Sequence, residues 1–278
     1  EPARLSSFEQ RAAWLKDAGA DEVLRLNPAD GTLALAPRDF VKRLLERLPV
    51  NAIVEGPDFH FGHKRAGNVH VLADLGRELG FTVDVVDPVE VALTDGLVVK
   101  ASSTLVRWFI QHGRVADAAR MLGRPYQLSG TVVQGDQRGR TIGFPTANLL
   151  LDGAPAPHPA PNPAAHPPVH PDGQGPVLLP ADGVYAAHAI LPGGLVRPAM
   201  LNIGTRPTVA GLDRRVEPHI LASPGEVPDT YGWPLTLKLH AWVRDQVRFP
   251  GLPALVDQLA RDRDRVRRML DAPAPLRA

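Results

Sequence analysis

The chain has 278 residues, an apolar fraction of 44% and no cysteine, which predicts two modest globular domains and excludes disulfides, thiolate catalysis and cysteine-ligated zinc. Its 31 basic and 30 acidic residues leave a net charge of +1, so no overall field attracts nucleic acid or an anionic membrane, and phosphate binding must be local. No apolar run approaches the roughly 20 residues that span a bilayer. We therefore expect a cytoplasmic protein whose partners are small molecules.

Helices alternate with short strands over residues 1–121. The predicted elements, in chain order, are a helix capped by Ser6 and Glu9 and closed at Gly19, a strand at 22–26, a helix from Pro37, a strand at 52–54, a helix from Asn68 to Gly80, and a strand at 81–86. This βαβ order predicts a parallel sheet covered by helices, which is an α/β fold.

From residue 126 onward the pattern changes to β-rich segments separated by Gly and Pro, which predicts a barrel or sandwich. The predicted strands cover residues 127–133, 183–191, 199–203, 215–221 and 235–243. The tail returns to an amphipathic helix whose apolar stripe runs from Leu252 to Met269, with Asp262 and several arginines expected on the outer face. We therefore predict two domains, at residues 1–121 and 122–278.

Residues 152–180 form a Pro-rich insertion within the second domain. The segment contains ten prolines and cannot supply a packed core or a regular hydrogen-bonded element. His158, His166 and His170 have the chemistry to bind a transition metal, but histidines in a loop without supporting groups are more often soluble loop residues. We assign them no function and expect a mobile excursion.

A glycine-rich hairpin begins the second domain. Gly130, Gly135 and Gly139 are spaced so that backbone N–H groups can approach an anion closely, and Arg138 and Arg140 add positive charge. The hairpin is therefore predicted to bind phosphate.

The hairpin is followed by two small oxygen-bearing side chains. Thr146 and Asn148 lie two residues apart, so on an extended segment they project to the same side and offer neutral oxygen ligands for Mg²⁺ shared with phosphate oxygens. The sequence contains no Gly-x-x-x-x-Gly-Lys-Ser/Thr motif, which excludes a P-loop. A magnesium nucleotide site of another kind is the prediction.

Five motifs in order carry a family resemblance, at residues 122–126, 139–148, 182–185, 202–208 and 216–217. Together they resemble the riboflavin kinase module of bacterial bifunctional riboflavin kinase/FAD synthetases. The resemblance implies a Greek-key β-barrel with a C-terminal helix, which binds Mg²⁺ and ATP and transfers the γ-phosphate to the 5′-hydroxyl of riboflavin to give FMN.

The same resemblance assigns roles to individual residues. Glu217 matches the catalytic base of the family, whereas the sequence alone would favour a surface ion pair with Arg214 or Arg215. Asn202 and Arg206 would line the cleft for nucleotide and flavin, and a turn residue and a surface cation are nearly as plausible for them. Tyr185 is equally compatible with the barrel core.

Two further motifs, at residues 56–62 and 101–107, resemble the FMN adenylyltransferase module. By resemblance, Asp58 and Phe59 lie at the flavin end of that site. Ser102, Ser103, Thr104 and Arg107 would serve the ATP phosphates at the start of a helix. A plain helix cap is the alternative reading of the serines.

The first adenylyltransferase signature of the family, a Phe-Asp-Gly segment followed by His-x-Gly-His, does not occur as a unit in this sequence, and His63 in Phe61-Gly-His63-Lys64 belongs to the flavin-loop motif instead. We therefore expect residues 1–121 to be an incomplete Rossmann-like nucleotidyltransferase domain, in a full-length protein that also converts FMN to FAD. A monofunctional riboflavin kinase with a degenerate nucleotidyltransferase domain is one alternative. A flavin-binding regulator without catalytic activity is the other.

Overall fold

The computed structural model describes residues 3–27, 30–135, 139–152, 177–208 and 211–271. The chain divides into two compact units, Ala12–Glu90 and the combination of Glu1–Arg11 with Val91–Ala278. The domain boundary predicted after residue 121 stays a prediction, because units defined by packing need not coincide with domains defined by activity. In the part of the chain described, no helix is long and apolar enough to cross a bilayer.

Helices and short strands alternate in the N-terminal part, as predicted. They are α1 (Phe8–Asp17), α2 (Pro37–Arg47), β1 (Ala52–Glu55), β2 (His60–Phe61), β3 (Gly67–Asn68), α3 (Val69–Leu79) and β4 (Thr82–Val85). Strands β1 and β4 pair in parallel, with Ala52 opposite Thr82, and α3 lies between them in sequence. Val41, Leu72 and Phe81 are buried in the core of this unit. The predicted βαβ arrangement is therefore present.

Two local predictions in this region need correction. The capping box of α1 is formed by Ser7 and Gln10, which exchange hydrogen bonds of 3.1 Å, and not by Ser6 and Glu9. Residues 22–26 are irregular, because their alternating apolar side chains have no buried face and Leu24 is 55% exposed. By contrast, Asn68 caps α3 as predicted, accepting hydrogen bonds from two backbone N–H groups.

The remaining elements begin with a short hairpin and two helices and continue into a large sheet. They are β5 (Glu90–Ala92), β6 (Val98–Lys100), α4 (Ser103–Gln111), α5 (Val115–Leu122), β7 (Tyr126–Val133), β8 (Asn148–Leu151), β9 (Gly183–Ile190), β10 (Val196–Thr208), β11 (Gly211–Ile220), β12 (Pro234–Arg244) and α6 (Leu252–Asp271). The five predicted strands are all present. Strand β8 was not predicted. It is a short, Leu-rich strand that begins at the predicted ligand Asn148.

The large sheet is antiparallel, has six strands, and follows the order β11-β10-β9-β12-β7-β8. Within it, β9, β10 and β11 are successive neighbours and β12 returns beside β9, which is a Greek key. The two ends of the sheet meet where the Ala147 N–H donates to the Pro218 carbonyl at 2.9 Å. The sheet is therefore a nearly closed barrel, as predicted.

Alternation along the strands separates two apolar clusters. Tyr185, Leu201, Ile203 and Val216 face the main core of the barrel. Alternate residues of β9 and β10 form a second, smaller cluster that also includes residues of α6. Helix α6 thus covers the outer face of the barrel along β9, β10 and β12, and this covered face positions the site described below.

Asp262 of α6 was predicted on the solvent side, and that prediction is wrong. Asp262 is 2% exposed and accepts a hydrogen bond of 2.7 Å from Arg244 Nε on β12 and another of 2.8 Å from Gln258 Nε2. Helical periodicity predicts that a charged residue faces solvent. This carboxylate is buried because an ion pair with an arginine on the neighbouring strand compensates its charge.

The Pro-rich insertion lies mostly outside the described residues, including His158, His166 and His170. Its C-terminal end contributes to the barrel core, contrary to the expectation that no part of it would. Leu178 is 7% exposed, and its carbonyl accepts a hydrogen bond of 2.7 Å from the hydroxyl of Tyr126. The three consecutive apolar residues between Pro176 and Pro180 therefore pack into the core, although the segment before them is rich in proline.

Candidate active site

A cavity of about 550 Å³ lies between the outer face of the barrel and α6. One part of its wall comes from the strands and from the loop before β8, and the other part comes from α6 and the segment leading to it. The residues lining it are Gly139, Thr141, Ile142, Phe144, Thr146, Val184, Met200, Asn202, Glu217, His219, Arg244, Phe249, Leu252, Leu255 and Leu259. Four predicted site residues therefore share one cavity: Gly139, Thr146, Asn202 and Glu217.

Strand register brings the polar side chains of the cavity together. In the antiparallel pair of β10 and β11, Asn202 stands opposite Glu217, and Met200 stands opposite His219. Directly opposite residues of an antiparallel pair share a face, and so do residues two apart on one strand. Asn202, Glu217 and His219 therefore lie on the same face, although the first two are 15 positions apart in sequence.

Glu217 is only 9% exposed at the wall of the cavity. The alternative reading placed it in a surface ion pair with Arg214 or Arg215. Arg214 pairs with Asp182, with Nε and Oδ1 at 2.9 Å. Burial raises the pKa of Asp182, but hydrogen bonds from Thr205 and Arg214 outweigh it, so the pKa lies below its usual value. A buried position facing a cavity fits a reactive carboxylate better than a solvated ion pair.

The loop that carries Thr146 is held in a tight turn. The Phe144 N–H donates to the Gly139 carbonyl at 2.9 Å, and a Cβ added to Gly139 would lie 2.1 Å from the Phe144 carbonyl oxygen. Gly143 has φ near +79°, a left-handed conformation that favours glycine. The glycines of this loop thus allow the turn that brings Thr146 to the cavity.

The other residues of the predicted phosphate-binding hairpin are placed as follows. Gly130 lies in β7 against the Leu150 carbonyl of β8, and a Cβ on Gly135 would lie 1.7 Å from the amide nitrogen of Asn148. Among the described residues, Asn148 is packed against Gly135 and is not part of the cavity wall. Arg140 is exposed in the turn. The phosphate role of this group stays a prediction, and Arg138 lies outside the described residues.

Asn202 lies within β10 and not in a turn. Its Oδ1 accepts a hydrogen bond of 2.9 Å from Gln246 Nε2, which also donates to the Ile203 carbonyl at 3.2 Å. The Ile203 carbonyl oxygen can only accept, so the Gln246 side chain must direct its NH₂ group toward it. Asn202 must therefore direct its oxygen, and not its nitrogen, toward Gln246. The side chain of Arg206 lies outside the described part. Tyr185 belongs to the core, where its hydroxyl donates to the Ala181 carbonyl at 2.6 Å.

Sequence reasoning missed His219 and Arg244, which both line the cavity. Burial lowers the pKa of His219, although its bond to the Pro145 carbonyl opposes the shift, and the charges of Arg263 and Arg267 lower it further. Arg244 is held by Asp262 and lies 5.7 Å from the ring centre of Phe249. His219 could have been predicted from its position two residues after Glu217, which places both side chains on the same face of a strand. Arg244 could not, because the sequence shows only that it lies at the end of a strand.

The residues of the predicted adenylyltransferase site are described within their own units. Ser102 caps α4 by accepting a hydrogen bond of 3.2 Å from the Leu105 N–H, and Arg107 Nε donates to the Ala3 carbonyl at 2.9 Å. Ser103 and Thr104 are exposed near the same helix start. Asp58, which belongs to the other unit, is also an exposed residue. Phe59 stacks on Phe61 with ring centres 5.6 Å apart. The helix cap is confirmed, and the binding roles stay predictions.

Comparisons with known proteins cover almost the whole chain. The riboflavin kinase family matches residues 122–270, and the FAD synthetase family matches residues 1–100. The bifunctional riboflavin kinase/FMN adenylyltransferase of Escherichia coli K12 is 34% identical over 262 residues, which are 94% of this chain and 74% of that protein. The protein of the same name from Pseudomonas fluorescens is 35% identical over 91% of this chain and 72% of its own length.

A solved structure extends the comparison to the fold. The crystal structure of a Streptococcus pneumoniae protein named as a macrolide-efflux protein superposes with a TM-score of 0.76 and 28% identity, covering 96% of this chain and 78% of that one. Two family matches, the identity to curated relatives and the Greek-key barrel agree. The chain belongs to the family of bifunctional riboflavin kinases/FMN adenylyltransferases.

Proposed function

We propose that the cavity under α6 is a riboflavin kinase site. The observation that carries the proposal is the convergence of Glu217, Asn202 and Thr146 on one cavity that has an apolar wall on its other side. The 5′-hydroxyl oxygen of riboflavin attacks the γ-phosphorus of ATP, the bond to the β-phosphate oxygen breaks, and ADP leaves. Glu217 accepts the hydroxyl proton. The products are FMN and ADP.

The two walls of the cavity suit the two ends of the reaction. Phe249, Leu252 and Leu255 offer an apolar surface for the flat isoalloxazine ring, whose burial favours binding. On the loop side, Thr146 offers a hydroxyl at the place where the phosphates of ATP would meet the ribityl chain. Phosphoryl transfer depends mainly on positioning and charge neutralisation. An apolar wall for the flavin and a polar loop for the phosphates would therefore place the two substrates for reaction.

The donor set near the loop fits a magnesium ion. Thr146 and Asn148 supply neutral oxygens, which suit a hard cation that takes its remaining ligands from phosphates and water. When bound, Mg²⁺ would neutralise charge on the phosphates of ATP. Of the two, Thr146 lines the cavity, whereas the side-chain amide of Asn148 packs against Gly135.

The N-terminal part adds the second activity, transfer of an adenylyl group from ATP to FMN to give FAD. The FAD synthetase match to residues 1–100 and the names of the relatives support this bifunctional reading over both alternatives. The start of α4 would receive ATP phosphates, through Ser102, Ser103, Thr104 and Arg107, and Asp58 with Phe59 would contact the flavin. Riboflavin, FMN and ATP are then the partners, and the cytoplasm, where they occur, is the proposed location.

The direct test is chromatographic separation of riboflavin, FMN and FAD after the protein is incubated with riboflavin, ATP and Mg²⁺. FMN together with FAD would support both activities. FMN alone would favour the monofunctional kinase. Absence of both products from a folded protein that still binds riboflavin would favour the flavin-binding regulator and overturn the proposal.

A further inference from the structure

Two hydrogen bonds from β11 flank Thr146 on its loop. On one side the Ala147 N–H donates to the Pro218 carbonyl at 2.9 Å. On the other side His219 Nδ1 lies 2.7 Å from the Pro145 carbonyl oxygen. The backbone around Thr146 is therefore attached to the strand that carries Glu217, once through the main chain and once through a side chain.

The surroundings of His219 define its orientation and protonation. The residue is 7% exposed, and its ring centre lies 5.2 Å from that of Phe144. A carbonyl oxygen can only accept, so Nδ1 must carry the proton of this bond, and in the neutral ring Nε2 is the unprotonated nitrogen. The imidazole thus acts as a fixed donor between the loop and β11.

We propose that His219 is a positioning residue for phosphoryl transfer, which sets the place of Thr146 relative to Glu217. This inference rests on the proposed kinase function. The bond to the Pro145 carbonyl holds the loop that would receive MgATP, while Glu217, two residues away on the same strand face, would receive the hydroxyl proton. One strand therefore fixes both the nucleotide side and the base side of the reaction.

The substitutions that test the proposal separate the hydrogen bond from the shape of the ring. His219→Asn places an amide N–H close to the position of Nδ1 and retains the bond, whereas His219→Phe retains a ring without a donor. His219→Gln serves as the second variant if His219→Phe does not fold, since its longer side chain moves the amide away from the Nδ1 position. His240→Phe is the matched control, because His240 is a half-buried histidine of the same sheet whose side chain hydrogen-bonds only to His188 among the described residues.

The expected result is a rise of about tenfold in the KM for MgATP with His219→Phe, together with a lower kcat and a riboflavin Kd within about twofold of the parent value. His219→Asn should return the KM to within about threefold. The control should lose stability without a change in the KM. Unchanged kinetics in His219→Phe, or a parallel loss of riboflavin and MgATP affinity that His219→Asn does not correct, would overturn the proposal.

Calorimetric titration with MgADP keeps this test separate from the kinase assignment. If the parent protein makes no FMN, the proposed function fails by that result. If the parent protein binds MgADP and the His219→Phe variant binds it equally well, the positioning role fails whether or not FMN is made.

Discussion

Individual residues at the site owe their positions to contacts that lie outside the motifs containing them. Asn202 is oriented by Gln246, and Thr146 is held through the neighbours of Glu217. The motif around residues 139–148 could be read from sequence because its glycines are required by a tight turn. The contribution of His219 could not, since one histidine on a strand is usually a core or surface residue.

At the residue scale, Gly139→Ala should impair use of MgATP. The new Cβ would lie 2.1 Å from the backbone oxygen of Phe144, which cannot rotate away, so the loop that carries Thr146 must shift. We expect kcat/KM for MgATP to fall by at least about tenfold and stability to fall by about 1–3 kcal/mol. Gly251→Ala is the control, because its Cβ meets only Pro253 at an ordinary 3.8 Å. Equal kinetics in both variants would refute the steric argument.

At the scale of elements, a buried ion pair between Asp262 and Arg244 holds α6 against the barrel. Amphipathic periodicity predicted the helix and its apolar stripe, but it assigned Asp262 to solvent. The pairing with Arg244 of β12 is a tertiary contact between residues 18 positions apart, which local periodicity does not contain. The register of the adjacent strands β10 and β11, which brings Asn202 opposite Glu217, is likewise a property of strand pairing that the periodicity of either strand alone does not contain.

Asp262→Ala should loosen α6 and destabilise the protein. Removing one partner of a buried pair leaves Arg244 uncompensated at 18% exposure, and we expect the free energy of unfolding to fall by about 3 kcal/mol. Urea unfolding measures it. Asp264→Ala is the control, since Asp264 is 52% exposed and pairs with its neighbour Arg263. A loss no greater than that of the control would show that the buried pair does not stabilise the helix.

At the scale of the whole molecule, the barrel unit carries a pair of histidines that makes stability depend on pH. His188 Nδ1 and His240 Nε2 lie 2.9 Å apart on neighbouring strands. Burial, with the neighbouring His188 and Lys238, lowers the pKa of His240 to about 4. Burial and Lys238 also lower the pKa of His188, against the attraction of Asp271.

Between about pH 6.5 and pH 4 the unfolded chain therefore binds more protons than the folded protein, so stability falls as the pH falls through this window. The urea midpoint should decrease from pH 7 to pH 5, and His240→Gln should reduce that decrease. Arg197 lowers the pKa of Glu226 from its usual value of 4.5 to about 2, so Glu226 loses its contribution between about pH 4.5 and pH 2, below the pH 7 to pH 5 range of this measurement. A slope that His240→Gln leaves unchanged would assign the pH dependence to other groups.

The measurement that tests the central claim most directly is the effect of Glu217→Gln on FMN formation and on riboflavin binding. Glutamine keeps the size of the side chain but cannot accept the hydroxyl proton, so we expect kcat to fall by at least about 100-fold while the riboflavin Kd stays within about twofold. Glu226→Gln is the control, because Glu226 pairs with Arg197 and is not among the residues lining the cavity in the described structure. An unchanged kcat in Glu217→Gln, or an equal loss of turnover and affinity, would contradict the assignment of Glu217 as the base.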